Sequence, residues 1–448
     1  VNRLNKFATA FLGVLFCTAP CALAQPGSYL GPGILSRGAG NLGYRGGEQV
    51  DLRFYADATA SYDTGLQPFS LDQNGKLATI NGLYGIQADL GAYGTHRWRQ
   101  AMLGLDYIGS FTHYPGTSTY DTTNQSLKLG YTYQKSRRIA FDFREVAGVA
   151  KTGYGSAGFY GSSADGQFVN SPTALLFDNR YEYFQSTMDV TFIQSAKTMY
   201  TMGGDGFFVR RQAKALAGTN GYNLRGSVMH RLDRQRTIGA SYEHIHFDFP
   251  PAFGESEINV AELFFSTGIG RRWTFSVSAG AFYSEVQGVE QVALDPVIAA
   301  LLGTSTGQRA FYRRSISPSG RIALRGQAGR SGTVTLSYGQ EVTPGNGLYL
   351  TSQQKAGTGS YTYSGIRNWS FGIAGGYQEL NGIGQGLKPY HSVTGGLNAS
   401  YRLTGAVHLI ARFDARDQQI DALGFRHTGY RTSFGIAFSP GDIPLSLW

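Results

Sequence analysis

The tightest constraint in this sequence is a parity. Between residues 50 and 438, stretches that alternate apolar with polar side chains follow one another, joined by connections that are long and short by turns. Alternation with a period of two describes a strand with one apolar and one polar face. Such stretches run at about 50–62, 83–93, 99–111, 126–134, 138–146, 180–194, 199–209, 222–231 and 237–248. They continue at about 257–269, 273–284, 309–325, 333–341, 357–364, 369–377, 391–401, 406–416 and 427–438. The pattern is weakest at 199–209 and 357–364, and 309–325 contains Pro318. Most reach the roughly 9–11 residues of a tilted membrane strand. The short connections are Gly94–Arg97, Lys135–Arg138, Ser195–Thr198, Asp233–Arg236, Gly270–Arg272, Gln327–Ser331, Ile366–Asn368 and Arg402–Gly405. Every other connection is longer, from 65–82 through 145–179 and 285–308 to 417–426. Two rims with loops of different length are what strands running up and down a membrane barrel produce, and a soluble sandwich has no reason to keep that parity.

Composition agrees. Charged residues make up 15% of the chain, against roughly 25% in a soluble domain, while 62 Gly, 28 Tyr and 28 Phe are present. Mean hydropathy is -0.21, and no internal apolar run approaches the roughly 20 residues of a spanning helix. The expected fold is all-β: a transmembrane antiparallel up-and-down barrel of about 18 strands, within 16–20, over residues 48–448. Every short connection carries Arg or Lys, and Trp98, Trp273 and Trp369 stand beside three of them. Indole rings are at home at a membrane interface.

Residues 1–24 have the form of a signal peptide: Arg3 and Lys6, an apolar stretch from Phe7 to Phe16, and Ala22-Leu23-Ala24 before Gln25. Both cysteines, Cys17 and Cys21, fall inside it, which leaves no thiol for a disulfide, a metal or a nucleophile. Residues 25–47 form a Gly/Pro-rich, flexible N-terminal segment. The GxGxxG at Gly38–Gly43 is followed by a strand from Val50 where dinucleotide binding needs a helix. A net charge of +9 raises nucleic acid as a partner, but an exported chain argues against it.

The last alternating stretch places Tyr430, Thr432, Phe434, Ile436 and Phe438 on one parity, and the sequence ends on Trp448. It resembles the C-terminal assembly signal of Gram-negative outer-membrane β-barrels, with Tyr430, Phe434, Phe438 and Trp448 as the signal residues. The alternation closes at Phe438, ten residues before Trp448, a departure from barrels that stop at the strand. The resemblance implies the bacterial outer membrane as the location, with its lipid and the barrel assembly machinery as partners.

A Lys or Arg facing lipid costs about 2–4 kcal/mol at the midplane, so the charged parity must face inward. It carries Arg53, Lys128, Arg144, Arg225, Arg321, Arg325, Arg412, Arg416 and Arg431. Its acids include Asp57, Asp89, Asp106, Asp142, Asp189, Glu262 and Asp414. A barrel of this size is too wide for side chains to fill, so these residues are expected to line an aqueous pore, charges of opposite sign held apart across it. Residues 145–179, with Ser171-Pro172 opening a short helix, and 285–308, with another from Asp295-Pro296 to Gly303, are candidates to narrow it. His244 and His246, with Asp248 on the same parity, are possible ligands near the outer rim, but no fourth ligand is evident. No metal, cofactor or catalytic residue is assigned, and no nucleophile motif is present. The expected function is a porin-like channel for small hydrophilic solutes. A polysaccharide-export barrel, or a plugged barrel acting as enzyme or adhesin, stays open, as does a homo-oligomer.

Overall fold

A computed structural model describes residues 49–64, 70–71, 77–78, 82–116, 121–151, 180–214, 216–293, 306–420 and 425–438. Eighteen strands dominate them. They are β1 Gln49–Asp63, β2 Leu83–Arg97, β3 Ala101–His113, β4 Thr122–Gln134, β5 Ile139–Lys151, β6 Arg180–Ile193, β7 Thr198–Arg211, β8 Thr219–Arg231 and β9 Arg236–Phe249. The second half comprises β10 Gly254–Ile269, β11 Trp273–Ala293, β12 Thr306–Ala328, β13 Gly332–Thr343, β14 Ser352–Tyr363, β15 Trp369–Gly382, β16 Tyr390–Arg402, β17 Val407–Ile420 and β18 Phe425–Phe438. Each strand pairs antiparallel with its neighbours in sequence, and β18 pairs with β1 from Ala56–Phe438 to Asp63–Arg431. The sheet is therefore closed and has no free edge, the condition for spanning a bilayer with strands.

All eighteen expected strands are present, including the two weakest. Many run further toward the long-connection rim than the alternation showed: β11 extends to Ala293 and β12 begins at Thr306. Beyond the bilayer both faces meet water, so the ladder continues where the sequence pattern has relaxed. The connection expected at 250–257 contracts for the same reason to a 3-10 turn, Pro250–Ala252, closed by Phe253 at φ 49°. Pro318 is tolerated because β12 pairs on both sides only from Gly320 onward, and Thr306–Ser319 is laddered to β11 alone. A proline belongs where one side of the strand needs no partner. The helices expected at Ser171-Pro172 and Asp295–Gly303 lie outside the described residues, as do residues 1–48, Gly38–Gly43 and Trp448.

The two faces separate cleanly. Outward side chains include Ile86, Leu90, Leu127, Met202, Leu224, Leu263, Ile322, Ile373, Leu397 and Phe434, all large, apolar and exposed. At the short-turn end Trp98 and Trp369 face outward, and the Trp369 ring stacks on Phe371 at 5.4 Å. Toward the opposite end Tyr242, Tyr338, Tyr377 and Tyr430 are exposed on the same outer face. Beyond the tyrosines of β15 the outer face turns ionic, with Lys355 bound to Glu379 at 2.8 Å. An apolar band between two aromatic girdles is the outer surface of a membrane barrel.

Inside, the buried set is mixed. Apolar residues gather on the inner face toward the long-connection rim, in a cluster of Phe207, Ile245, Phe247, Phe249, Ile258, Phe282 and Leu350. A neighbouring group joins Ile108, Val146, Ala150, Tyr181, Tyr183 and Val209. Most of the remaining buried inner positions are polar or charged, with Tyr55, Tyr390 and Ile410 among the apolar ones.

Candidate functional site: the charged inner wall

Two charged arrays occupy the inner face. One crosses the seam where the barrel closes. Asp57 of β1 stands opposite Asp89 of β2 in the ladder, and Asp414 of β17 stands opposite Arg431 of β18. Alternation sends all four inward. Arg412 Nε donates to Asp414 Oδ2 at 2.6 Å. Arg431 donates to Gln87 Oε1, and Gln87 Nε2 donates to both Asp89 oxygens at 2.8 Å. Asp57, Thr59, Gln87, Asp89, Asn398, Arg412, Arg431 and Ser433 line a small recess on the inner face. Arg416, also buried, follows two positions after Asp414 on the same face of β17. The ring of Tyr55 lies across Gly91 on the neighbouring strand, where any Cβ would collide with it.

The second array spans β5 to β8. Arg144 binds Asp142 at 2.8 Å and Asp189 at 3.0 Å, while Arg225 binds Asp189 at 2.8 Å and Asp205 at 2.9 Å. Asp142 and Asp189 are direct ladder partners. Their like charges are tolerable because a guanidinium is inserted on each side. Here the expectation of opposite charges standing apart is corrected: three carboxylates and two guanidiniums form one hydrogen-bonded chain. Charge-assisted contacts of this geometry are among the stronger hydrogen bonds.

The other expected pore residues are more dispersed. Asp106 faces Lys128 across the β3–β4 ladder. Arg321 binds Glu341 at 2.9 Å. Glu262 on β10 stands opposite Gly280 and Ser241, and Arg325 on β12 opposite Thr274 and Thr335. Arg53 pairs with Tyr93 in the β1–β2 ladder, and its side chain lies outside the described residues. Of the terminal-strand residues, Tyr430, Phe434 and Phe438 face outward and are exposed.

Among the described residues, a segment that the sequence reading did not single out packs inside the barrel: 344–351, between β13 and β14. Of the two connections expected to narrow the pore, the ends belong to strands, and 152–179 and 294–305 lie outside the described residues. Gly345 and Gly347 take φ of 68° and 92°, a region open to glycine. Asn346 Oδ1 accepts from the amides of Leu348 at 3.0 Å and Tyr349 at 2.9 Å. The turn so formed drives Leu350 into the apolar cluster with Phe249, Ile258 and Phe282 from β9, β10 and β11. The Ala217 amide donates to Gly347 O at 3.0 Å, and the Thr351 hydroxyl meets that of Ser256 on β10. Tyr349 donates to Lys388 O at 2.7 Å. Pro344-Gly-Asn-Gly ahead of Leu348-Tyr-Leu350, an apolar triplet in a connection, was the signal available. Asp205 and Glu341 were also missed, the first because Gly203, Gly204 and Gly206 around it blur the alternation.

The protein is thus a closed eighteen-strand barrel, apolar outside and charged within. No model of a protein family matches the chain, and no curated protein matches it. Among solved structures it is similar to OccAB1 of Acinetobacter baumannii, at 10% identity over 87% of this chain and 96% of that one, with a TM-score of 0.40. It is also similar to OccK2 (OpdF) of Pseudomonas aeruginosa in complex with glucuronate, at 10% identity over 87% and 98%, with a TM-score of 0.43. A third likeness, at 9% identity over 86% and 97% with a TM-score of 0.32, is to a bacterial polysaccharide outer membrane secretin.

Proposed function

We propose that this protein is an outer-membrane channel that conducts small hydrophilic solutes along the charged wall formed by β16, β17, β18, β1 and β2. The observation that supports this is the asymmetry of the interior. On the β7 to β11 side, apolar residues and segment 344–351 pack into the lumen. On the seam side, Arg412 and Arg431 border a small recess beside Asp57 and Asp89. Guanidinium forks match carboxylates and phosphates, and the neighbouring carboxylates suit hydroxyl or cationic groups. A solute with an anionic end and several hydroxyls fits such a wall. The role is passage without chemistry, so the protein is not an enzyme in this reading. Residues 1–24 act as an export signal and 25–47 as a leading segment ahead of the barrel. Outer-membrane lipid and the assembly machinery are its partners.

Single-channel conductance of the refolded barrel in a planar bilayer, under a salt gradient, tests the proposal. Stepwise persistent openings are expected, and the Arg412→Ala/Arg431→Ala variant shifts the reversal potential toward cation preference. A folded but silent barrel overturns it and favours a plugged barrel, the packing of 344–351 then being the plug.

A further inference from the structure

The outer wall carries a cluster that passage through the lumen does not use. His244 and His246 lie two apart on β9, and both face outward near the long-connection rim, at the level where the outer surface becomes ionic. The ladder sets Glu257 of β10 opposite His246 and Glu255 opposite Asp248. Potential ligand atoms of His246, Glu255 and Glu257 lie within 4.8 Å of one another. His246 Nδ1 stands 2.7 Å from Glu257 Oε1, and His244 Nε2 stands 3.1 Å from Glu257 Oε2.

We propose that this cluster is a zinc(II) site on the outer wall of the barrel, with His246, Glu255 and Glu257 as ligands and His244 completing the set. Neutral imidazole nitrogen and carboxylate oxygen are ordinary zinc donors, held at about 2.0–2.2 Å. Ligand atoms around a tetrahedral ion then stand roughly 3.4 Å apart, so side-chain rotation alone closes the observed span. The three residues that already converge, His246, Glu255 and Glu257, sit on two paired strands, and His244 reaches the group through Glu257. The supporting contacts are those expected around a metal. The Tyr222 ring stacks on His246 at 5.0 Å and 20°. Gln287 Nε2 donates to Glu255 Oε2 at 2.6 Å, and His244 Nδ1 and the Tyr242 hydroxyl both contact Asn259 Oδ1, at 3.1 and 2.7 Å. Partners of this kind orient ligands and tune affinity. The sequence had suggested the two histidines with Asp248. The structure supplies carboxylates from the next strand instead.

Titration of the refolded, detergent-solubilised barrel with Zn²⁺ tests the site. One equivalent is expected to bind, raising the unfolding midpoint, with nitrogen and oxygen ligands and imidazole scattering in zinc X-ray absorption. His246→Gln and Glu257→Gln each weaken binding at least tenfold, whereas Glu379→Gln, at another carboxylate of the same rim, leaves it unchanged. Absence of saturable binding overturns the proposal, as does affinity unaltered by His246→Gln and Glu257→Gln. Equal weakening by all three variants also overturns it, because it would indicate nonspecific attraction to rim carboxylates.

Discussion

At the scale of single residues, the inner wall depends on guanidiniums placed between carboxylates. Arg225 separates Asp189 from Asp205 and binds both. Arg225→Ala leaves three acids facing a single Arg144. Removing one partner of a fully buried pair costs about 3–5 kcal/mol. Because Arg225 retains some solvent contact, a loss of about 2 kcal/mol is expected, read as a lower urea midpoint for the refolded protein. A midpoint equal to the parent's would show that water already screens the carboxylates. Asp233 acts at the other extreme of exposure, in a short turn. Its Oδ1 accepts from the amides of Gln235 at 2.7 Å and Arg236 at 2.8 Å. These amide bonds hold the carboxyl below its ordinary range. A carboxyl depressed in the folded state adds stability that is complete above its unfolded value and disappears as pH falls through the folded one. Asp233→Asn should therefore flatten the acid limb of the pH–stability curve, while Asp233→Ala also loses the turn. An acid limb identical in parent and Asp233→Asn would rule the carboxylate out as its source.

At the scale of elements, alternation revealed every strand because the bilayer enforces it: a strand cannot present a guanidinium to lipid. Where the bilayer ends, so does the enforcement. That is why the upper halves of β11 and β12 and the turn at Pro250 were misjudged, and why a connection was not recognised as part of the interior. Segment 344–351 is held by contacts with residues far away in sequence, such as Ala217 and Ser256, and periodicity carries no trace of these. If this segment narrows the pathway, replacing residues 345–350 by two glycines should raise single-channel conductance at least twofold without changing the strand content seen by circular dichroism. Unchanged conductance would mean that the current never passes the segment.

At the scale of the whole molecule, the barrel is stabilised by facing two solvents at once. Leu90 is half exposed on the outer face, directly behind the inward Asp89. Leu90→Arg should cost about 2–4 kcal/mol in a bilayer if the position lies near the midplane, and much less in a detergent that lets water reach it. Equal effects in both media would mean that the band does not contact acyl chains. The inner charged residues were legible as a set, since only one parity carries them. Which of them meet was not, because contacts across the seam depend on ladder register and on strands from opposite ends of the chain.

That seam has a consequence for kinetics. The Tyr430 amide donates to the Thr64 hydroxyl from 366 positions away, at 2.9 Å, and the whole β1–β18 ladder joins stretches equally remote. Every other junction is a local hairpin that can form as soon as its two strands exist. Joining the ends carries a loop-closure entropy that grows only slowly with length, but it must be met before any of the ladder's bonds form. Contacts so distant in sequence are the slow ones. The recess bordered by Arg412, Arg431, Asp57 and Asp89 spans that closing ladder, so it cannot be complete before the ladder forms.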